Sequence, residues 1–187
     1  MSQIFIKAIF ALSAVIFVAA PQTSFAYDMP PLILESPVFK KGGTIPDIYT
    51  CRGTNISPPL TWNNIPYVTK SLALIMEDPD ASKGTYTHWV VYNITPDTKS
   101  FGKNLSTTGN GTILAQGQNG SGKTGYTGPC PPQGSGPHRY FFKLFALDID
   151  PQLPSTANKE SLENAMEGHI LSQAELVGHY EIKGNKP

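Results

Sequence analysis

Three short segments of the chain each join an apolar run to a titratable side chain. Asp78 ends the run Ser71-Leu-Ala-Leu-Ile-Met-Glu-Asp, His88 precedes Trp89-Val-Val-Tyr, and His138 precedes Arg-Tyr-Phe-Phe-Lys-Leu. Imidazoles donate hydrogen bonds to anions, and a neighbouring carboxylate orients an imidazole and favours its cationic form. The same residue types also serve as general bases or as metal ligands.

The apolar segments are predicted to be β-strands that carry these side chains at their ends. The first segment is short and is stopped by Pro79, as expected of a buried strand. Side chains at alternate positions of a strand share one face of the sheet. Three sets of residues are therefore expected to share faces: Leu72, Leu74, Met76 and Asp78; Tyr86, His88, Val90 and Tyr92; and His138, Tyr140, Phe142 and Leu144.

Four motifs follow one another along the chain: Asp78-Pro-Asp-Ala, Thr87-His-Trp-Val-Val-Tyr-Asn, Gly128-Pro-Cys-Pro-Pro-x-Gly and His138-Arg-Tyr-Phe-Phe-Lys-Leu. In this order they resemble the phosphatidylethanolamine-binding protein family, and most closely its bacterial branch, often called Raf kinase inhibitor-like. The likeness runs from about Ser36 to about Ile182. Four ordered motifs are far harder to match by chance than one, so the resemblance is specific.

The resemblance implies a mainly β fold, a β-sandwich with a small C-terminal helical region. It also implies a pocket for phosphate-like or carboxylate anions and phosphorylated head groups. The imidazoles and a tyrosine hydroxyl would donate to the anion, the carboxylate would orient an imidazole, and two prolines would shape a wall. The pocket residues in this sequence are Asp78, Tyr86, His88, Pro131, Pro132, His138 and Tyr140.

The two cysteines, Cys51 and Cys130, flank this pocket in the family layout. The resemblance therefore implies that they lie close together, and we predict a disulfide between them; the alternative is a pair of buried thiols. Arg52 follows Cys51 at a position where the family commonly has an acidic residue. It adds a cation to a segment that the family places near the ligand pocket.

Residues 1–26 are predicted to be a secretory signal peptide. Lys7 precedes a continuous apolar run from Ala8 to Ala20, and Ser24-Phe-Ala26 offers small residues where a signal peptidase cleaves. The run is shorter than the ~20 residues that span a bilayer, so stable membrane insertion is not expected. Residues 27–187 are then predicted to form a single domain, located in the periplasm or secreted.

Charge and motif context argue against two other classes of function. The chain has 14 basic and 14 acidic residues and no basic block, so no nucleic-acid partner is expected. The stretch Gly117-Gln-Asn-Gly-Ser-Gly-Lys-Thr124 matches the sequence pattern of the phosphate-binding loop of nucleotide hydrolases. It lacks the apolar strand before it and the amphipathic helix after it that such a loop requires.

One helix is predicted from Lys159 to Leu171, because apolar residues recur there at helical spacing. His169 is expected to pack beside the core on this helix. A short helical turn and a final strand are predicted after Ser172.

The sequence favours an exported small-anion or phospho-ligand binding protein with a regulatory or inhibitory role, like the kinase and protease inhibitors of the family. This hypothesis assigns no catalytic residue, cofactor or metal. Two alternatives stay open: a hydrolase with His88 or His138 as base and Asp78 as orienter, and a metal site of the same three residues. The expected partner is a small phosphate- or carboxylate-bearing ligand, with a protein target also considered. The oligomeric state is left open, a homodimer included.

Overall fold

Strands dominate the structure because short apolar runs alternate with turns rich in proline and glycine. A computed structural model describes residues 30–107 and 114–184, so the predicted signal peptide lies outside the described residues. The strands are β1 (Ile33–Glu35), β2 (Gly43–Thr44), β3 (Leu60–Asn63), β4 (Ser71–Asp78), β5 (Tyr86–Ile94), β6 (Ser100–Phe101), β7 (Ala115–Gln116), β8 (His138–Leu147) and β9 (Ile170–Tyr180). The described helices are α1 (Lys159–Met166) and a 3-10 helix at Asp47–Tyr49.

The strands form two sheets that pack face to face. The smaller sheet has the order β1-β3-β6 and the larger has the order β2-β9-β8-β4-β5-β7. The long strands of the larger sheet are antiparallel neighbours, whereas the short β2 pairs with β9 in parallel. Apolar side chains from both sheets form the main core, among them Trp62 of the smaller sheet and Leu74 and Phe142 of the larger. The predicted mainly β sandwich is confirmed.

A β-bulge in β5 sets the direction of the side chains at the end of that strand. Met76 of β4 pairs with Trp89, whereas Glu77 pairs with Thr87, so His88 is the extra residue. An extra residue reverses the alternation of side chains beyond it. Val90 and Tyr92 were predicted to share a face with His88, and this prediction is wrong. Both residues pack in a second core on the other side of the sheet.

Helix α1 covers this second core, where Leu162 and Met166 are buried. The side chain of Asn158 caps the helix by accepting a hydrogen bond from the Ser161 backbone N–H at 2.9 Å. No helix in the described ranges is both long and apolar enough to cross a membrane.

The helical region is shorter than predicted. Helix α1 ends at Met166 because Gly168 adopts a φ of 77°, a left-handed conformation that stops a helix. His169 is therefore exposed rather than packed beside the core, and its Nδ1 lies 2.8 Å from Asp148 Oδ1. The predicted helical turn after Ser172 is also wrong, because the whole segment pairs with β8 as strand β9.

Candidate functional site

Asp78 and His138 meet where two neighbouring strands end. β4 and β8 are antiparallel, so the last residue of β4 and the first residue of β8 lie at the same end of the sheet. His138 Nδ1 lies 2.8 Å from Asp78 Oδ2, and both residues are buried. The other carboxylate oxygen, Oδ1, accepts the Asp80 backbone N–H at 2.8 Å. Both oxygens of this buried carboxylate are thus hydrogen-bonded, as a buried charge requires.

His88 is held beside this pair by the bulge in β5. Its Nδ1 lies 2.7 Å from the Thr127 carbonyl oxygen, so Nδ1 carries a proton and donates it. Burial is the main influence on its pKa and lowers it, although the Thr127 carbonyl and the Asp78 charge act in the opposite direction. A positive charge on His138 would lower the pKa of His88 further. The ring is therefore neutral near pH 7. The hydrogen bond to Thr127 uses Nδ1, so Nε2 takes no part in it.

One cavity of about 270 Å³ joins these groups, and we call it the site cavity. Thr127 and Gly128 form part of its wall, as do Ala81 and Ser82 of the turn after β4. Six of the seven side chains predicted for the ligand pocket line it: Asp78, Tyr86, His88, Pro131, Pro132 and His138.

Tyr140 is the predicted pocket residue that does not line the site cavity. It is fully buried, and its ring packs edge-on against His88 with a centroid distance of 5.2 Å. Burial, and then the nearby Asp78 charge, raise the pKa of its hydroxyl. The hydroxyl makes no hydrogen bond of ordinary geometry within the described structure, although Asp78 is close enough to affect it. Tyr140 therefore packs against the His88 ring without lining the site cavity itself.

A disulfide joins Cys51 to Cys130, as predicted, with the Cα atoms 5.4 Å apart. It ties the segment after the 3-10 helix to the loop that carries Pro131 and Pro132. The loop is also held by the Cys51 backbone N–H, which donates to the Pro129 carbonyl at 3.1 Å. Because Cys130 is bonded to Cys51, it cannot act as the nucleophile of a hydrolase.

Arg52 lies away from the site cavity. It lines a separate cavity of about 530 Å³ together with His179 and Lys183, and acidic side chains of Asp47 and Glu181 line the same space. The extra cation that distinguishes this chain from the family pattern therefore does not face Asp78 or His138.

Sequence reasoning missed one polar neighbour of the site. The Ser135 hydroxyl lies 3.2 Å from His138 Nε2, in the loop just before β8. The only sequence signal for this contact is a spacing of three residues inside a stretch rich in glycine and proline. Such a spacing does not fix where a side chain points.

The structure also bears on the alternative of a metal site and on the segment whose sequence matches a phosphate-binding loop. Within residues 30–107 and 114–184, no group of three or more His, Cys, Asp or Glu side chains could hold a metal ion. The metal alternative therefore has no geometric support there. The stretch from Gly117 to Thr124 folds back on itself through a bridge between Gln118 and Thr124, and the next described element is strand β8, not a helix.

Comparison with known proteins identifies the family. The family model for phosphatidylethanolamine-binding protein matches residues 35–181. A UPF0098 protein of Methanothermobacter thermautotrophicus is 50% identical over 150 residues, which cover 79% of this chain and 97% of the relative. A second, from Aquifex aeolicus, is 47% identical over 144 residues, covering 76% of this chain and 84% of that protein.

Two crystal structures share the fold. A Chlamydia trachomatis protein described as a homolog of phosphatidylethanolamine-binding protein superposes with a TM-score of 0.74 at 40% identity, covering 81% of this chain and 97% of its own. Escherichia coli YbcL superposes with a TM-score of 0.76 at 32% identity, covering 82% of this chain and all of its own. The chain belongs to the phosphatidylethanolamine-binding protein family.

Proposed function

We propose that the protein binds a small phosphate- or carboxylate-bearing ligand in the site cavity and acts as an exported regulatory protein. Family membership supports a ligand-binding role. The observation that carries the proposal is the convergence of His88, His138 and Tyr86 on one cavity of about 270 Å³. The ring nitrogens that face the cavity donate to anionic oxygens when the rings are protonated, and Tyr86 adds a hydroxyl, which also contacts the Ser121 hydroxyl.

The charge of Asp78 is compatible with an anionic ligand. A bare carboxylate would repel an anion, but both oxygens of Asp78 accept hydrogen bonds from His138 and Asp80. The ion pair with His138 also balances the charge when that imidazole is protonated.

His88 is suited to respond to the charge of a ligand. In the free protein its pKa is lowered, mainly by burial, so the ring is neutral. A bound anion next to Nε2 favours the imidazolium form, as an opposite charge at short range does. Binding is then coupled to the uptake of one proton by His88.

Export and a regulatory role belong to the same proposal. The predicted leader, residues 1–26, directs the chain out of the cytoplasm, and a disulfide between Cys51 and Cys130 suits an oxidising compartment. A regulatory or inhibitory action on a kinase or protease is what the family resemblance implies. Cell fractionation with mass measurement of the intact protein tests export, because cleavage after Ala26 leaves Tyr27 as the first residue.

The anion site is tested by NMR titration of the mature protein with inorganic phosphate and with phosphoethanolamine, following the His88 and His138 ring signals. We expect saturable shifts of both rings in the wild type, and loss of the His88 shift in His138→Gln. His169→Ala is the matched control, because that histidine is exposed and pairs with Asp148. Rings that do not shift at millimolar ligand would contradict the proposal.

A further inference from the structure

Ser135, His138 and Asp78 form a continuous hydrogen-bonded series. Ser135 Oγ lies 3.2 Å from His138 Nε2, and His138 Nδ1 lies 2.8 Å from Asp78 Oδ2. The histidine and the aspartate are buried, whereas the serine is exposed to solvent. A hydroxyl, an imidazole and a buried carboxylate in this order are the parts of a nucleophile, a general base and the group that orients the base.

The hydrogen bonds fix the direction of proton transfer along the series. The ionised carboxylate of Asp78 can only accept, so the proton of a neutral His138 lies on Nδ1. Nε2 is then the acceptor, and the Ser135 hydroxyl is the donor. This is the tautomer in which an imidazole can remove a proton from a serine hydroxyl.

The serine hydroxyl has a second acceptor within reach. Its Oγ lies 3.3 Å from the Gly136 carbonyl oxygen, so the hydroxyl proton can point to that carbonyl or to His138. Both contacts are long, as catalytic hydrogen bonds often are before a substrate binds. Rotation about one side-chain bond is enough to exchange them.

A donor for a developing oxyanion stands next to the serine in the chain. Among the described residues, the Gly136 backbone N–H makes no hydrogen bond, whereas the Ser135 N–H donates to the Pro132 carbonyl at 3.1 Å. In many serine hydrolases the amide of the residue after the nucleophile stabilises the oxyanion. Gly136 therefore has the group that this role needs.

We propose that Ser135 is the nucleophile of an esterase activity, with His138 as general base and Asp78 as the positioning residue. The substrate class is a carboxylic ester that reaches Ser135 from solvent, because the serine is exposed and contacts His138 at the loop before β8. This activity goes beyond anion binding and does not depend on it.

The reaction balances without a cofactor. Ser135 Oγ bonds to the carbonyl carbon of the ester, and His138 Nε2 takes the hydroxyl proton. The bond from that carbon to the alcohol oxygen breaks, and the alcohol leaves with the proton. Water then attacks the acyl-serine, one of its protons passes through His138 to Ser135 Oγ, and the carboxylic acid is released. The sum is ester plus water giving acid plus alcohol.

The test combines covalent labelling with turnover of p-nitrophenyl acetate by the full mature chain. A fluorophosphonate probe is expected to modify one peptide, at Ser135. Ser135→Ala is expected to lose the adduct and to lower kcat/KM by ~10³-fold or more, because the nucleophile is removed. Ser155→Ala is the control with unchanged kcat/KM, since this exposed serine lies in the turn before α1.

No adduct at Ser135, an adduct at another residue alone, or equal turnover by Ser135→Ala and the wild type would overturn the esterase proposal. Thermal unfolding of Ser135→Ala shows that the variant folds. Phosphate titration of the same variant separates the two proposals, because shifts of the His88 ring that persist leave anion binding intact when the esterase fails.

Discussion

His138 donates from Nδ1 to the Asp78 carboxylate across 2.8 Å, although 60 residues separate the two in the chain. The side chains are 9% and 5% exposed, so the charge of Asp78 has little access to water. Removing one partner of a buried pair leaves the other without compensation, which costs more than the pair itself contributes. The pair therefore both stabilises the ends of β4 and β8 and fixes the position of the His138 ring in the site.

Asp78→Ala is expected to lower the free energy of unfolding by about 3 kcal/mol, since it leaves the buried His138 ring without its acceptor. Asp78→Asn is the matched control and is expected to cost less than half as much, because its side-chain oxygen can still accept one hydrogen bond. Urea unfolding followed by fluorescence gives both values. Equal losses in the two variants would show that the hydrogen bond to His138 contributes nothing.

The affinity for sulfate is expected to fall as the pH rises above the pKa of His88 in the free protein. That pKa lies below 6.5, because burial disfavours the imidazolium, and a bound anion raises it. Between the two pKa values the affinity changes by up to about tenfold per pH unit. Sulfate keeps its charge throughout this range, so calorimetric titration between pH 5.5 and 8 reports on the protein alone.

His88→Gln serves as the control for this dependence, since it removes the titrating ring and leaves His138 and Asp78 in place. Because the His138 ring also lines the site cavity and remains in this variant, the sulfate affinity of His88→Gln should vary less with pH than that of the wild type. In the absence of ligand, the lowered pKa of His88 makes the protein less stable as the pH falls, whereas the sulfate affinity rises as the pH falls. The unfolded chain binds the proton more readily, so wild-type stability declines as the pH falls from the unfolded value of 6.5 towards the folded pKa. A wild-type sulfate affinity that stays constant with pH would contradict proton uptake at His88.

The strands that carry the site were predictable from sequence, because each contains an apolar run of the right length and is stopped by proline or glycine. The meeting of Asp78 with His138 then depends on antiparallel pairing of β4 with β8, which periodicity does not reveal. The family resemblance supplied that information. The bulge at His88 was not predictable, since one inserted residue leaves no mark in the composition of a strand.

The helix was over-predicted because its apolar spacing continues past Gly168, where the backbone turns left-handed. Local spacing could not show that the next residues pair with β8 along its whole length. The contact of Ser135 with His138 was missed for a related reason, since loop residues have no periodicity from which to infer direction. What sequence alone left out is thus tertiary pairing and loop conformation.

Glu77 forms a second charged cluster, on the opposite face of β4 from Asp78. Its carboxylate accepts from Lys143 of β8 and from Lys159 of α1, the latter with Nζ 2.6 Å from Oε2. Burial alone would raise the pKa of Glu77, but the two lysines outweigh it and lower the pKa. Glu77 therefore fastens helix α1 to the sheet.

Glu77→Gln is expected to lower the free energy of unfolding by roughly 1–2 kcal/mol, because both lysines lose a charged partner while remaining partly exposed to water. The lowered pKa stabilises the fold above the unfolded value of 4.5, and this contribution disappears as the pH falls through the folded pKa. Denaturant titrations at pH 7 and at pH 3 should thus show a difference between wild type and variant that shrinks at the lower pH. A difference of the same size at both values would contradict the assigned role. Glu163→Gln is the control, since Glu163 is half exposed and pairs with Lys159 at 3.5 Å.

The disulfide is expected to stabilise the fold more than it shapes the site cavity. Cys51 and Cys130 are 79 residues apart, and closing a loop of that length lowers the entropy of the unfolded chain by an amount worth about 4 kcal/mol. The cavity wall has other attachments: the Tyr126 hydroxyl donates to the Tyr49 carbonyl at 2.6 Å, and the Gly128 N–H donates to Asn55 Oδ1 at 2.7 Å. These hydrogen bonds remain when the disulfide is broken.

The double variant Cys51→Ser, Cys130→Ser is therefore expected to lose about 4 kcal/mol of unfolding free energy while its phosphate affinity changes by less than about threefold. Wild-type protein treated with reductant provides the matched comparison, and both should unfold at the same denaturant concentration. Asn55→Gly tests the other attachment, because it removes the acceptor for the Gly128 N–H while glycine tolerates the φ of 60° at this position. It should weaken phosphate binding more than the double cysteine variant does. If loss of the disulfide instead abolishes binding with little change in stability, the covalent link, and not the hydrogen bonds, holds the wall of the site cavity in place.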